Sequence, residues 1–244
     1  AVGVAYVSNW YAPDRQGTAL GIFGAGNVGA AVTKFVAPFV MVMYGWKTVA
    51  DVWAIALVIT AGVFWVCTRD EPKPAERRLR GVAPRSMREM LAPLARVQVW
   101  RFSLYYFFVF GGFVALALWL PRYLIGVYGL SIESAGLIAA CYSVPASLFR
   151  IYGGVLSDRY GARRVMYWTF GASVACCFVL SYPPTEYIVR GIQGPVTFRM
   201  ETGLVTFTTV AFVLGFFMSL GKAAVFKHIP VYYPGNVGAI GGAV

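Results

Sequence analysis

Long stretches without a charged residue recur along the whole chain, and each has about the length of a membrane-spanning helix. A bilayer core about 30 Å thick requires roughly 20 mainly apolar residues in a helix. Such stretches cover residues 16–46 (interrupted by Lys34), 52–68, 102–121, 134–157 (interrupted by Arg150), 165–185 and 202–221. They predict six whole transmembrane helices, with partial helices at residues 1–10 and from about residue 235.

The composition also indicates a membrane protein. Hydrophobic residues make up 59% of the 244 residues and charged residues only 13%, about half of the quarter that is usual in soluble domains. The four cysteines lie in apolar stretches without the spacing of a zinc or redox site. A single histidine, His228, is too few for a multi-histidine metal centre. We therefore expect neither a metal nor another cofactor.

Lysine and arginine are unequally distributed between alternate loops. One set of loops contains only Lys47, Arg122, Arg190 and Arg199, whereas the other contains most of the rest. Because cytoplasmic loops carry the excess of positive charge, the second set is predicted to be cytoplasmic. Its centre is the segment 69–101, which we interpret as a basic cytoplasmic linker between helix bundles at residues 1–68 and 102–244. The net charge of +11 is thus explained by the cytoplasmic loops that set the orientation of the protein in the membrane, and nucleic acid is not an expected partner.

A short repeat suggests that the two bundles are related. Pro13-x3-Gly17-x3-Gly21 and Pro234-x3-Gly238-x3-Gly242 share one spacing, and each precedes a predicted helix on the cytoplasmic side. Parallel halves related by an axis along the membrane normal are a known transporter design. Since the chain begins at Ala1 and ends at Val244 inside an apolar, glycine-rich stretch, we expect it to be a piece of a longer protein.

Arg150 is the charged residue that most directly suggests a function. It precedes Asp158 by eight residues, roughly 12 Å along a helix, which places it near the middle of the membrane, where ionisable residues are functional candidates. All ten acidic residues lie in loops or at helix ends. We infer that an anion neutralises the guanidinium, whose planar pair of donors suits a planar oxyanion. The other cations within predicted helices, Lys34 and Lys222, are expected to extend toward the membrane surface.

The helix after Pro13 contributes a second candidate residue, Asn27. It lies about 16 Å from Gln16 along that helix, at the predicted depth of Arg150, so its amide either donates to the same anion or bonds to a neighbouring helix. Small residues follow one side of the same helix every four positions, at Gly17, Gly21, Ala25 and Gly29, which predicts close packing against another helix.

Two glycine-rich patterns carry a family resemblance. Gly24-Ala-Gly26-Asn27-Val-Gly29 also matches a dinucleotide-binding motif, but that motif requires a preceding strand, and this one is predicted to lie in an apolar helix. Instead, together with Asn236-Val-Gly238-Ala-Ile-Gly241-Gly242, it resembles the paired signatures of the nitrate/nitrite porter family of the major facilitator superfamily. A third segment is similar to the superfamily's signature loop between helices 8 and 9, and its characteristic residues are Gly154, Asp158, Arg159, Gly161 and Arg163.

The resemblance implies an all-α fold of two six-helix halves, of which this chain covers the end of helix 4 to the start of helix 11. It implies that Arg150 grips nitrate or nitrite, that Asn27 lines the site, and that Tyr106 and Phe110 flank the planar ion. From the residues alone, Tyr106 and Phe110 would be two lipid- or core-facing aromatics. The implied mechanism is alternating access in the cytoplasmic membrane, by nitrate/nitrite exchange or proton-coupled nitrate uptake.

Two alternatives remain at this point. A carrier of a small organic anion would keep the fold and change the cargo, although it should need more polar contacts than Arg150, Asn27 and Tyr106 supply. A membrane sensor would bind the ligand without moving it. An enzyme is the least favoured class, because no nucleophile–base pair or metal cluster is apparent.

Overall fold

The computed structural model describes residues 2–69, 86, 88–89, 92–182, 185–192, 194–234 and 236–244, without the side chains at 2, 30, 31 and 34. Most of the predicted linker 69–101 and the side chain of Lys34 lie outside that part. The described helices are α1 (Val2–Trp10), α2 (Gln16–Ala25), α3 (Val28–Cys67), a 3-10 turn (Ala92–Ala95), α4 (Val97–Tyr106), a π-helical turn (Phe107–Gly111), α5 (Gly112–Tyr128), α6 (Ile132–Ser143), α7 (Pro145–Leu148), α8 (Arg150–Tyr160), α9 (Ala162–Leu180), α10 (Leu204–Tyr232) and α11 (Val237–Ala243).

Each stretch predicted to span the membrane is largely helical. The first is divided, because the chain turns at Gly26 and Asn27 between α2 and α3. α3 then contains the end of that stretch and the whole of the next, separated at Gly45, whose φ of +83° lies in the region that favours glycine. In the described part, four helical segments are long and apolar enough to cross a membrane: Phe35–Cys67, Val97–Tyr128, Ile132–Tyr160 and Leu204–Tyr232.

The stretch predicted for residues 165–185 ends early and is followed by an unpredicted β-hairpin. α9 ends at Leu180, and strands β1 (Thr185–Gly191) and β2 (Gly194–Met200) pair antiparallel, with Thr185 opposite Met200. The sequence has prolines at 183 and 184, which cannot continue a helix. Beyond them, the strands are rich in β-branched residues, which favour extended structure.

Helices from both predicted bundles contribute to one core around α10. Buried Leu20 of α2, Val165 of α9 and Ile229 of α10 belong to the same apolar cluster, and a second cluster joins α5, α6 and α10. In contrast, the second half of α3 is apolar and exposed, with Trp65 86% exposed, which suits a surface that faces lipid.

Candidate substrate-binding site

Helices α2 and α8 approach each other closely through glycines. A Cβ atom added at Gly21 would lie 2.7 Å from the carbonyl oxygen of Arg150, and one added at Gly17 would lie 2.5 Å from a carboxylate oxygen of Asp158. At Gly24 an added Cβ would overlap the guanidinium of Arg150. The predicted small-residue stripe therefore packs on α8, but the contacts follow Gly17, Gly21 and Gly24 rather than Ala25 and Gly29, because α2 ends at Ala25.

Arg150 is buried at this contact, with only 2% of the residue exposed. Its Cζ atom lies 4.9 Å from the centroid of the Phe226 ring. The Nε atom has no hydrogen-bond acceptor within the described part of the chain. The ion pairs of that part are Arg15–Asp14, Arg199–Glu201 and Lys227–Asp158, so Arg150 is not neutralised there by a carboxylate.

The structure brings Tyr106 and Phe110 to the same cluster. Tyr106 directly precedes the π-helical turn and Phe110 lies within it, and their rings stack with centroids 5.0 Å apart and planes 13° apart. Tyr106 also packs against Phe226, 4.8 Å away between centroids, and Phe226 in turn lies beside the guanidinium of Arg150. Together, Arg150, Tyr106, Phe110 and Phe226 form what we call the Arg150 cluster, and Phe226 is the member that sequence analysis missed.

Asn27 is positioned near this cluster by the turn between α2 and α3. It lies three residues beyond Gly24, which touches the guanidinium, and it is half-buried. Its backbone N–H donates to the Gly24 carbonyl at 3.2 Å. Gly26 and Asn27 keep helical φ and ψ angles but bond to the third preceding residue, so the motif is an irregular turn between α2 and α3. The role of the Asn27 amide at the anion stays a prediction.

The other signature glycines have looser surroundings than Gly24. Gly26 lies in the turn, and a Cβ added at Gly29 would meet no atom within 4 Å. On α11, a Cβ at Gly238 would lie 3.5 Å from Ala5 and one at Gly241 would lie 3.8 Å from Val4. These distances are ordinary van der Waals contacts, so close packing requires glycine at position 24 more than at the other signature positions.

The expectation that Lys222 extends to the membrane surface is wrong. The residue is 0% exposed, because α10 continues ten residues further, to Tyr232, and so places Lys222 well inside the helix. Its Nζ atom donates to the Ala146 carbonyl at 2.8 Å and lies 3.3 Å from the centroid of Phe113.

The inner end of the α2–α8 contact is held by Asp158. Its carboxylate accepts hydrogen bonds from the backbone amides of Gly17 (3.1 Å) and Thr18 (2.8 Å) and from the Thr18 hydroxyl (2.8 Å). It also forms an ion pair of 2.6 Å with Lys227, whose Nζ additionally donates to the Pro13 carbonyl. Lys227 belongs to the lysines and arginines that the alternate-loop count assigns to the cytoplasmic loops, but in the structure it lies in α10 and is buried. We call these contacts the Asp158 junction.

Gly154 of the signature loop is buried at the contact itself, since a Cβ added there would overlap the Gly17 carbonyl, whereas the remaining residues lie on the outer side. Gly161 connects α8 to α9 with a φ of +85°, which requires glycine. Arg159 and Arg163 are exposed, and the Nε of Arg163 donates to the hydroxyl of Tyr167 at 3.0 Å. Neither arginine forms an ion pair with Asp158 in the described structure.

Comparison with known proteins places this chain in a family. The model of the Major Facilitator Superfamily matches residues 1–244. A probable nitrate/nitrite antiporter of Thermus thermophilus is 45% identical over the whole of this chain and 57% of the relative. A probable nitrate/nitrite transporter of Mycobacterium tuberculosis is 34% identical over the whole chain and 56% of its own length, and a nitrite extrusion protein of Bacillus subtilis is 30% identical over the whole chain and 55% of its length. The chain thus spans little more than half of these relatives. No solved structure matches it.

Proposed function

Because the chain belongs to the Major Facilitator Superfamily, we propose that the full-length protein is a secondary transporter that moves nitrate or nitrite across the cell membrane. The observation that carries the proposal is the buried Arg150 guanidinium, which lies between helices of the two predicted bundles and has no carboxylate partner in the described structure. An anion that enters from water would supply the missing charge. Transport then requires no chemical step.

The surroundings of Arg150 favour a small, planar anion. The Nε–H group has no acceptor among the described residues, and a planar oxyanion can accept from the guanidinium through two parallel hydrogen bonds. On the other sides, the aromatic ring of Phe226 and the backbone of Gly24 leave little room. A larger organic anion would need further donors, and the available ones nearby are Tyr106 and Asn27.

The Asp158 junction supports alternating access around this site. It closes the inner end of the α2–α8 contact, since one carboxylate binds the first turn of α2 and Lys227 of α10. We propose that residues 1–68 and 102–244 belong to different halves joined by the linker 69–101. For the anion to reach the cytoplasm, the junction must open while the two halves rock around the site.

Competition for uptake tests the cargo. The full-length protein in proteoliposomes should take up labelled nitrate, and external nitrite should compete with it. Acetate, lactate and small phosphate esters at the same concentration should not. Efficient competition by an organic anion, with weak competition by nitrite, would instead indicate the organic-anion carrier. Nitrate binding without uptake would indicate a sensor.

A further inference from the structure

Lys222 lies one helical turn from the Arg150 cluster, both along its own helix α10 and through its contact with the α7–α8 segment. On α10 it precedes Phe226 by four residues, so both side chains share a face. Its Nζ atom donates to the Ala146 carbonyl, and Ala146 precedes Arg150 by four residues. Two neighbouring pairs therefore connect α10 with the α7–α8 segment: Lys222 with Ala146, and Phe226 with Arg150.

Aromatic rings join the two cations. The Nζ of Lys222 lies 5.8 Å from the centroid of Phe110, and Phe110 stacks on Tyr106. Tyr106 packs against Phe226, the ring that lies beside the Arg150 guanidinium. A carbonyl oxygen and aromatic faces both attract an ammonium group. Both cations are buried, and Coulomb attraction to an anion held by Arg150 is stronger in such an apolar interior than in water.

We propose that Lys222 is the proton-binding group of the anion site, so that a proton and the anion bind together; this rests on the proposed function. Lysine can release its proton when buried, whereas arginine stays charged. In the proposed step, the neutral amine takes a proton from water on one side of the membrane as the anion binds Arg150. On the other side, the anion leaves and the ammonium returns its proton to water. No covalent bond other than N–H forms or breaks.

The other titratable groups around Lys222 are less suited to this role. Arg150 keeps its charge, and Tyr106 and Tyr142, which pack on Phe110 and Phe113, are neutral phenols near neutral pH. Cys176 of α9 belongs to the same apolar cluster as Phe113 and is a neutral thiol there. On α10 itself, Lys227 is paired with Asp158 and His228 stacks on Phe102.

Because linkage is reciprocal, anion binding must draw a proton onto Lys222 if protonated Lys222 strengthens anion binding. Isothermal titration of the purified full-length protein with nitrate, near neutral pH and in buffers of different ionisation enthalpy, measures the protons taken up. We expect about 0.3 to 1 proton per nitrate. If nitrate binds but fewer than about 0.1 proton is taken up per nitrate, the assignment of Lys222 as the proton-binding group is wrong and the proposed function stands. If nitrate does not bind, the proposed function itself fails.

Two variants test whether Lys222 is the residue that takes up the proton. Lys222→Arg fixes the positive charge, so nitrate should bind with affinity within about threefold of the natural protein but without proton uptake. Lys222→Met removes the charge, so proton uptake should vanish and affinity should fall about fivefold or more. Proton uptake that persists in either variant would overturn the proposal. Should both variants fail to fold, the titration of the natural protein still decides whether nitrate binding takes up a proton.

Discussion

Arg150 and Asp158 both connect α8 to α2, but among the described residues only Asp158 has an oppositely charged partner. Asp158 is paired with Lys227 and accepts three hydrogen bonds from the start of α2. Arg150, eight residues earlier, lies against Gly24 and Phe226, and its Nε atom has no acceptor in the described chain. The same helix pair thus has a paired charge at Asp158 and, eight residues away, a buried cation without a carboxylate partner among the described residues.

The difference separates a structural contact from a binding site. Removing one partner of a buried ion pair leaves an uncompensated charge, which destabilises the fold. A buried cation without a carboxylate already bears that cost, so its presence suggests that a ligand supplies the opposite charge. The comparison therefore predicts that changes at Arg150 weaken anion binding, whereas changes at Asp158 weaken the fold.

The largest expected effect is that of Arg150→Lys. The variant keeps the positive charge but loses the planar pair of donors, so nitrate uptake by the full-length protein should fall about 100-fold or more, as expected for a binding site that loses charged hydrogen bonds. Initial rates in proteoliposomes measure it. The matched control is Arg159→Lys in the exposed signature loop, which should transport normally. Near-normal uptake by Arg150→Lys would remove the distinction between the two charges.

Asp158→Asn should lower the free energy of unfolding by about 2 kcal/mol, since it leaves Lys227 with a weaker partner. This value is below that for a fully buried pair, because the side chains are 10% and 13% exposed. The thermal midpoint in detergent measures the loss, and titration should show nitrate affinity within about threefold of normal. Asp14→Asn, at an exposed pair, should change neither. If Asp158→Asn abolishes nitrate binding while the fold survives, the two regions are not separable.

The sequence predicts the helical stretches and the burial of Arg150 for one physical reason. Burying charge in a membrane is so unfavourable that uncharged runs reveal the helices, and a single exception such as Arg150 stands out. In contrast, the predicted position of Lys222 near the membrane surface was wrong, because it depends on where α10 ends. Polar residues near the end of a helix do not show in the sequence at which residue the helix stops. The four-residue spacing between Lys222 and Phe226, which places both side chains on one face of the helix, was a sequence signal for the position of Lys222.

Contacts between segments that are far apart along the chain could not be predicted from the sequence. Nothing near Asp158 indicates that its partner is Lys227, because that pairing depends on how α10 packs beside α8. Similarly, the four-residue glycine spacing predicted a packing face, but only the turn at Gly26 and Asn27 determines that the face ends at Gly24. The β-hairpin was missed because its apolar residues resemble a continuation of the membrane span.

Gly24→Ala tests how tightly α2 positions Arg150. The new methyl group would overlap the guanidinium, so the side chain must shift, and nitrate affinity should fall about tenfold because the donors lose their alignment. Gly29→Ala is a matched control on the same signature, because an added Cβ there meets no atom within 4 Å. Titration with nitrate measures both. Equal affinities in the two variants would show that α2 does not shape the site.

Tyr106→Phe should give the smallest effect, because it removes one hydroxyl and keeps the ring stacked on Phe110. The loss of a single hydrogen bond to the anion or to Arg150 corresponds to about 1 kcal/mol, or about fivefold in nitrate affinity. Tyr105→Phe, whose ring packs instead against Phe170, controls for the loss of a phenol elsewhere on α4. A decrease in Tyr106→Phe alone would place that hydroxyl in the binding site. Unchanged affinity would assign Tyr106 to packing, leaving Arg150 and the Asn27 amide as the polar contacts of the anion.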